Sequence, residues 1–94
     1  MVAIVKAVDK GEAWLDKNKP GWWEKVDLKG FQMHSSCLCV LGQLSPQANW
    51  LVILRRHNLT MADSVAMGFD AEDGESYPAL TAEWKKRIKA RRKG

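Results

Sequence analysis

The sequence has few of the residue types that define several protein classes. Its 94 residues include only two cysteines, three prolines and three aromatic residues besides five tryptophans. Two cysteines cannot build the disulfide framework of a small secreted domain, so we expect a cytoplasmic protein. The start of the chain also lacks a signal-peptide pattern, because Lys6 interrupts the apolar residues before a long hydrophobic stretch forms.

Charged residues are missing from one internal stretch of 24 residues, Phe31 to Leu54. That length is enough to cross a bilayer as a helix. Only 14 of the 24 residues are apolar, however, and Pro46 interrupts the stretch. A spanning helix here would leave many polar groups without water, so we predict no membrane segment and two adjacent buried elements instead.

The chain does contain enough apolar material for a folded protein. It is 46% hydrophobic and 28% charged, which lies outside the composition typical of disordered chains. A chain this short buries only about 60 to 70% of its unfolded surface, which leaves no room for two cores. We therefore predict one domain over residues 1–94.

Hydrophobic periodicity and capping residues predict a mainly α-helical fold, a single compact domain of four or five short helices with a basic C-terminal helix. Residues 89–94 are expected to form a frayed basic tail beyond the last core contact. The predicted helices are Val2 to Lys17, Cys37 to Leu44, Pro46 to about His57, a short helix between Thr60 and Gly68, and a last helix from Ser76 that docks through about Ile88, with a helical turn near Trp22 to Val26.

The predicted core takes apolar residues from most of these helices. Gly11 lies on the apolar face of the first helix at a cost in helix propensity of about 1 kcal/mol, which indicates that another element packs closely there. The predicted core residues are Ile4, Val8, Trp14, Leu15, Leu41, Leu51, Leu54, Val65, Phe69, Leu80 and Trp84.

Short motifs along the chain occur in a characteristic order. They are Ala13-Trp14-Leu15-Asp16, Pro20-Gly21-Trp22, Cys39-Val40-Leu41-Gly42-Gln43-Leu44, Ala66-Met67-Gly68-Phe69-Asp70 and Leu80-Thr81-Ala82-Glu83-Trp84, followed by Ile88 and Arg91-Arg92. This order resembles a family of small proteins encoded by actinobacteriophages, mycobacteriophages among them, and by actinobacterial genomes. The resemblance covers almost the whole chain and implies a phage product that acts in the cytoplasm of a bacterial host. It brings no catalytic residues with it.

Positive charge is concentrated at one end of the chain. The net charge is +4, but Lys85 to Lys93 holds seven of the fifteen basic residues and no acid, whereas residues 1–84 hold eight basic and eleven acidic residues. Any contact with nucleic acid must therefore come from this segment. The candidate nucleic-acid-binding residues are Lys85, Lys86, Lys89, Arg92 and Lys93. The alternative is that these cations only increase solubility and interact favourably with the dipole of the helix.

The adjacent Trp22 and Trp23 are the candidate protein-binding residues. Neighbouring side chains cannot face the same core, so we expect one to cover the core edge and the other to stay partly exposed, as at interaction hot spots. Burial of both between two helices is the alternative. The sequence thus favours a protein that binds a host or phage protein, with nucleic-acid binding through the last helix as the second hypothesis.

A metal site or catalytic site has weaker support in the sequence. His34, Cys37, Cys39 and His57 are residue types that bind zinc, but in a helix Cys37 and Cys39 would point about 200° apart. We therefore predict no metal and no cofactor, with Cys39 as a small buried apolar residue. The sequence contains no phosphate-binding loop, nucleophile elbow or paired-carboxylate motif, so we predict that the protein is not an enzyme.

Overall fold

The computed structural model describes residues 2–33, 35, 38–44, 50–71 and 76–93. Six α-helices and no strand are present in those residues. The helices are α1 (Val2–Asn18), α2 (Trp22–Lys25), α3 (Val40–Leu44), α4 (Trp50–Arg56), α5 (Met61–Ala66) and α6 (Tyr77–Lys93). The mainly α-helical fold and the single compact domain are confirmed. The number of helices exceeds the predicted four or five because the helical turn after Gly21 is a separate element, α2.

Helix α1 packs closely at Gly11 against the turn after α5 and against Trp84 of α6. A Cβ atom at Gly11 would overlap the carbonyl oxygen of Met67 and would lie 3.0 Å from the ring of Trp84. The next residue of α1, Glu12, pairs with Arg87 and Arg91, which follow Trp84 in α6. Later residues of α1 therefore contact later residues of α6. Only glycine permits this approach, which confirms the close packing predicted at this position.

A capping box and a left-handed glycine bound α5, as predicted. Thr60 Oγ1 accepts a hydrogen bond from the Asp63 amide at 3.0 Å, and Asp63 Oδ2 accepts one from the Thr60 amide at 2.9 Å. Gly68 has a φ of 74°, which favours glycine at this turn. The turn directs Phe69 into the core and presents the Gly68 carbonyl to the indole nitrogen of Trp84, 2.6 Å away.

Three aromatic side chains form the centre of the core. Phe69 stacks on Trp84 with ring centroids 5.8 Å apart, and Trp22 meets Trp84 edge-on at 5.7 Å. All three residues are buried. Such pairs add about 0.5 to 1.5 kcal/mol each beyond the burial of their area. These contacts join α2, the turn after α5, and α6 into one core.

Most of the predicted core residues lie inside, with one error. The buried ones are Val8, Leu15, Leu41, Leu54, Phe69, Leu80 and Trp84, and the partly buried ones are Ile4, Trp14 and Val65. The prediction for Leu51 is wrong, because its side chain is 38% exposed. Helix α4 is apolar over most of its length, and it is Ile53 and Leu54 that turn towards the core, so Leu51 is left on the outer side.

Helix α3 is shorter than the predicted Cys37 to Leu44. Before it begins, Ser35 Oγ accepts a hydrogen bond from the Leu38 amide at 3.2 Å, which holds a turn. Gln43 then anchors the helix to the segment after α2, because its amide group exchanges hydrogen bonds of 2.6 and 3.0 Å with the backbone of Asp27. The Cys-Val-Leu-Gly-Gln-Leu string therefore has a structural role. The predicted helix start at Ser45-Pro46 lies outside the described residues.

Candidate functional site

Helix α6 continues through Lys93, so the prediction of a frayed tail at residues 89–94 is wrong over residues 89–93. The helix does not run out into solvent after Ile88. Arg91 and Arg92 reach back from the last turn to α1 and to the backbone after α2. These contacts hold the last turn against the rest of the domain.

Arg87 joins α6 to the acidic side of α1. Its guanidinium contacts Glu12 and Glu83 at 2.7 Å each and Asp9 at 2.5 Å. The Arg87 side chain is only 17% exposed. Its burial alone would lower the pKa of Arg87, but hydrogen bonds to the three carboxylates outweigh burial and raise it. Arg87 is therefore a permanent cation committed to the helix interface.

Arg91 extends this network by one turn. It binds Asp16 through two parallel hydrogen bonds of 2.7 Å and Glu12 through a third of 2.9 Å. The guanidinium also lies 5.5 Å from the centre of the Trp22 ring, and the Trp22 indole donates to Asp16 at 3.1 Å. The fork-to-carboxylate geometry is one that lysine cannot reproduce.

Arg92 is bound to the backbone and does not point freely into solvent. Its guanidinium donates to the carbonyl oxygens of Trp23, at 3.0 and 3.2 Å, and of Val26. These carbonyls lie at the end of α2, where no helical amide pairs with them. Arg92 was predicted to bind nucleic acid, and the structure instead gives it a capping role.

The four lysines of the same segment have a different environment. Lys86, Lys89 and Lys93 are exposed, and Lys85 is partly exposed. None of them forms an ion pair within the described part of the chain. Together with Ala82 and Ala90 they form the outer surface of α6. We call this surface, formed by Ala82, Lys85, Lys86, Lys89, Ala90 and Lys93, the lysine face.

The helical repeat explains why Arg87 and Arg91 are separate from the lysines. At 3.6 residues per turn, the four lysines fall within an arc of about 100°, on the side of α6 opposite to Leu80 and Trp84. Arg87 and Arg91 follow Trp84 and Ile88 by three residues and so lie on the inner side. The candidate residues predicted from the sequence already exclude Arg87 and Arg91 but include Arg92, whose guanidinium is bound to backbone carbonyls. The three-residue spacing from the core residues was the available signal for Arg87 and Arg91.

No protein-family model, curated protein or solved structure matches this chain. The chemistry of the lysine face therefore has to be inferred from its own geometry. A surface of lysines with small residues between them attracts anions over several ångströms and lets them approach the helix closely. None of its six residues is acidic. Glu83, which lies at its border, is paired with Arg87.

The two predicted protein-binding residues lie in different environments. Trp22 is fully buried, whereas Trp23 is partly exposed and packs against the core. The sequence predicts one indole covering the core edge and the other partly exposed; Trp22 lies inside the core instead, and Trp23 is the partly exposed one. Trp22 consequently offers no surface to a partner, and only Trp23 of the pair remains accessible.

Two of the four candidate zinc ligands, Cys39 and His57, lie within the described residues. His34 and Cys37 lie outside the described residues. His57 contacts the Trp14 ring edge-on, with centroids 4.9 Å apart, and Cys39 is buried as predicted, with its sulfur accepting from the Gly42 amide at 3.3 Å. Within the described ranges, no three potential metal ligands lie together.

A depression of about 370 Å³ lies between the start of α1, the end of α5 and the start of α6. Ile4, Val65 and Leu80 contribute to its apolar lining. Asp70 at its edge accepts a hydrogen bond from the Tyr77 hydroxyl, and this bond raises the pKa of Tyr77. The polar groups of this edge therefore pair with each other.

The ion pair between Arg91 and Asp16 makes stability depend on pH. The hydrogen bond from Arg91 lowers the pKa of Asp16 below its usual 3.8, against the opposing effect of burial. A lowered pKa in the folded state means that the stabilisation is present above about pH 4 and is lost as the pH falls through the folded-state pKa. We expect Asp16→Asn to lower stability at pH 7 and to lose less stability than the wild type between pH 5 and pH 3.

Urea unfolding at pH 7, 5 and 3, followed by circular dichroism, measures both effects. Equal losses of stability between pH 5 and pH 3 in the wild type and in Asp16→Asn would show that this carboxylate does not contribute to the acid dependence.

Proposed function

We propose that this chain is a nucleic-acid-binding protein, not an enzyme, and that it binds phosphate groups through the lysine face. The observation that carries the proposal is the division of the cations on α6. Arg87, Arg91 and Arg92 are bound to carboxylates or carbonyls of the domain itself, whereas none of the four lysines forms an ion pair with the residues that the structure describes. Packing of α6 accounts for the arginines and leaves the lysines without a structural role.

The charge distribution of the domain supports a local cationic surface. Residues 1–84 carry more acidic than basic residues, but Asp9, Glu12, Asp16 and Glu83 are paired with arginines at the contact between α1 and α6. Pairing removes much of their repulsion towards a polyanion. The lysine face lies on the far side of α6 from this network, so these four carboxylates oppose the approach of a phosphate backbone less than unpaired acids would.

A partner protein contacted by Trp22 and Trp23 is the other hypothesis from the sequence. Trp22 is buried and Trp23 is partly covered, so this pair supports a protein interface less well than the lysine face supports phosphate binding. Hot-spot residues need exposed area that is lost on binding. A protein partner of acidic character is therefore treated as a competing outcome of the experiment below.

The setting of the proposed function comes from the sequence resemblance. A product of an actinobacteriophage would meet both phage and host nucleic acid in the bacterial cytoplasm. In agreement with the expected absence of a membrane segment, none of the described helices has the length and apolar character needed to cross a membrane. The origin in an actinobacteriophage and the location in the bacterial cytoplasm are themselves parts of the proposed function.

The experiment compares two variants with the same change in charge. In the first, Lys85, Lys86, Lys89 and Lys93 are all replaced by Gln. In the control, four exposed cations outside α6 are replaced by Gln, namely Lys17, Lys25, Lys29 and Arg56. Fluorescence anisotropy with a labelled 20-base-pair DNA at low salt measures binding. Circular dichroism confirms that each variant is folded.

We expect the wild type to bind and the lysine-face variant to bind at least tenfold more weakly. The control variant should lose much less, because its charges come from α1, α2, the segment after α2 and α4 and not from one face of a single helix. Equal losses in both variants would mean that net charge alone drives binding. Absence of binding by the wild type to DNA and to RNA, together with binding of an acidic protein such as polyglutamate, would replace the proposal with a protein partner.

A further inference from the structure

We infer that the lysine face recognises the backbone of a double-stranded nucleic acid without reading its base sequence. The inference rests on the proposed function and specifies its ligand. It follows from three features of the lysine face: its lysine and alanine side chains, its lack of aromatic and base-reading side chains, and its length along α6.

The side chains of the lysine face are poor readers of bases. Direct readout in the major groove uses Arg on guanine and Asn or Gln on adenine through paired hydrogen bonds. The lysine face offers only lysine and alanine, and the three arginines of α6 are held by the domain. Lysine acts as a point charge, which fits a phosphate and discriminates little between bases.

A single strand would need aromatic side chains on the same surface. Proteins that bind single strands stack successive bases on exposed aromatic rings beside a basic groove. The lysine face has no aromatic residue. In α6, Trp84 is fully buried, and Tyr77 is partly buried and hydrogen-bonded to Asp70. The surface can therefore neutralise a backbone but offers no platform for unpaired bases.

The spacing of the lysines along α6 matches the width of the major groove of a DNA duplex. Lys85 and Lys93 are eight residues apart, which is about 12 Å along a helix. The major groove of B-DNA is also about 12 Å wide, so lysines at both ends of the face can reach phosphates on opposite sides of one groove. Ala82 and Ala90 are short enough to let the helix approach the backbone closely. Four lysines then give up to four phosphate contacts.

Salt dependence and ligand preference test this inference together. The probes are two 20-base-pair DNA duplexes of unrelated sequence, the single strand of one of them, and an RNA duplex of matching sequence. Anisotropy titrations between 50 and 200 mM salt give the affinity and its slope. Each phosphate contact contributes a slope of about 0.9 for duplex DNA, so four contacts predict a slope of about 3 to 4.

We expect the two DNA duplexes to bind within about twofold of each other and at least fivefold more tightly than the single strand. Each single Lys→Gln change at positions 85, 86, 89 or 93 should reduce the slope by about 0.9. We expect the DNA duplexes to bind at least as tightly as the RNA duplex, and a preference for the RNA duplex would contradict the fit to the B-DNA major groove.

Tighter binding of the single strand, or a preference above tenfold for one DNA sequence, would overturn the inference and leave the proposed function standing. Failure of every nucleic-acid probe to bind would overturn the proposed function as well.

Discussion

Replacement of Trp84 with Ala is expected to destabilise the domain by about 3 to 5 kcal/mol. Trp84 is fully buried, stacks on Phe69 and meets Trp22 edge-on. Its indole nitrogen also donates to the carbonyl of Gly68 at 2.6 Å. The change therefore leaves a large cavity and an unpaired buried carbonyl. Urea unfolding followed by circular dichroism measures the loss.

The Trp84→Phe variant separates packing from hydrogen bonding. Phenylalanine keeps an aromatic ring in the cluster but cannot donate to Gly68, so we expect a smaller loss than for alanine. An unsatisfied buried acceptor costs about 1 to 3 kcal/mol, to which the smaller ring adds a packing loss. If Trp84→Ala lowered stability by less than 1 kcal/mol, the docking of α6 on the aromatic core would be contradicted.

Replacement of Gly11 with Ala is expected to destabilise the domain by about 1 to 3 kcal/mol through overpacking. Intrinsic helix propensity predicts the opposite sign, because alanine is about 1 kcal/mol more favourable than glycine within a helix. At Gly11, however, the new Cβ atom would overlap the Met67 carbonyl and press on the Trp84 ring. The overlap involves backbone, which cannot move aside as a flexible side chain can.

Ala13→Gly is the matched control for this prediction. Ala13 lies on the exposed side of the same helix, so only helix propensity is expected to change, with a loss of up to about 1 kcal/mol. The two variants exchange the same residue types in opposite directions, yet both should be less stable than the wild type. A stabilised Gly11→Ala variant in urea unfolding would show that α1 does not approach Met67 and Trp84 as closely as described.

The helices could be predicted because their signals are local. The capping box at Thr60, the left-handed Gly68 and the stripe of Leu80, Trp84 and Ile88 each lie within one or two turns of sequence. Gly11 added one long-range inference, since a glycine on an apolar helix face has a cost that close packing explains. These features need no knowledge of where the other helices lie.

The division of cations could not be predicted in the same way. Helical spacing places Arg91 near the inner side of α6, but its role depends on Asp16 and Glu12, about 75 residues earlier in the sequence. The predicted frayed tail was wrong for that reason, because the last apolar contact at Ile88 is not the last contact of the helix. Long arginine side chains continue the interface beyond the apolar core.

The division of α6 into arginines that hold the fold and lysines that are available to a ligand is tested most directly by urea unfolding of Arg91→Gln and Lys89→Gln. Both variants lose one positive charge from the same helix, two residues apart. Arg91 forms charge-assisted hydrogen bonds with two partly exposed carboxylates, so its loss should cost about 1 to 2 kcal/mol. Lys89 is exposed and forms no ion pair with the described part of the chain, so its replacement should change stability by less than about 0.5 kcal/mol. Equal losses in the two variants, or a larger loss for Lys89→Gln, would contradict the division.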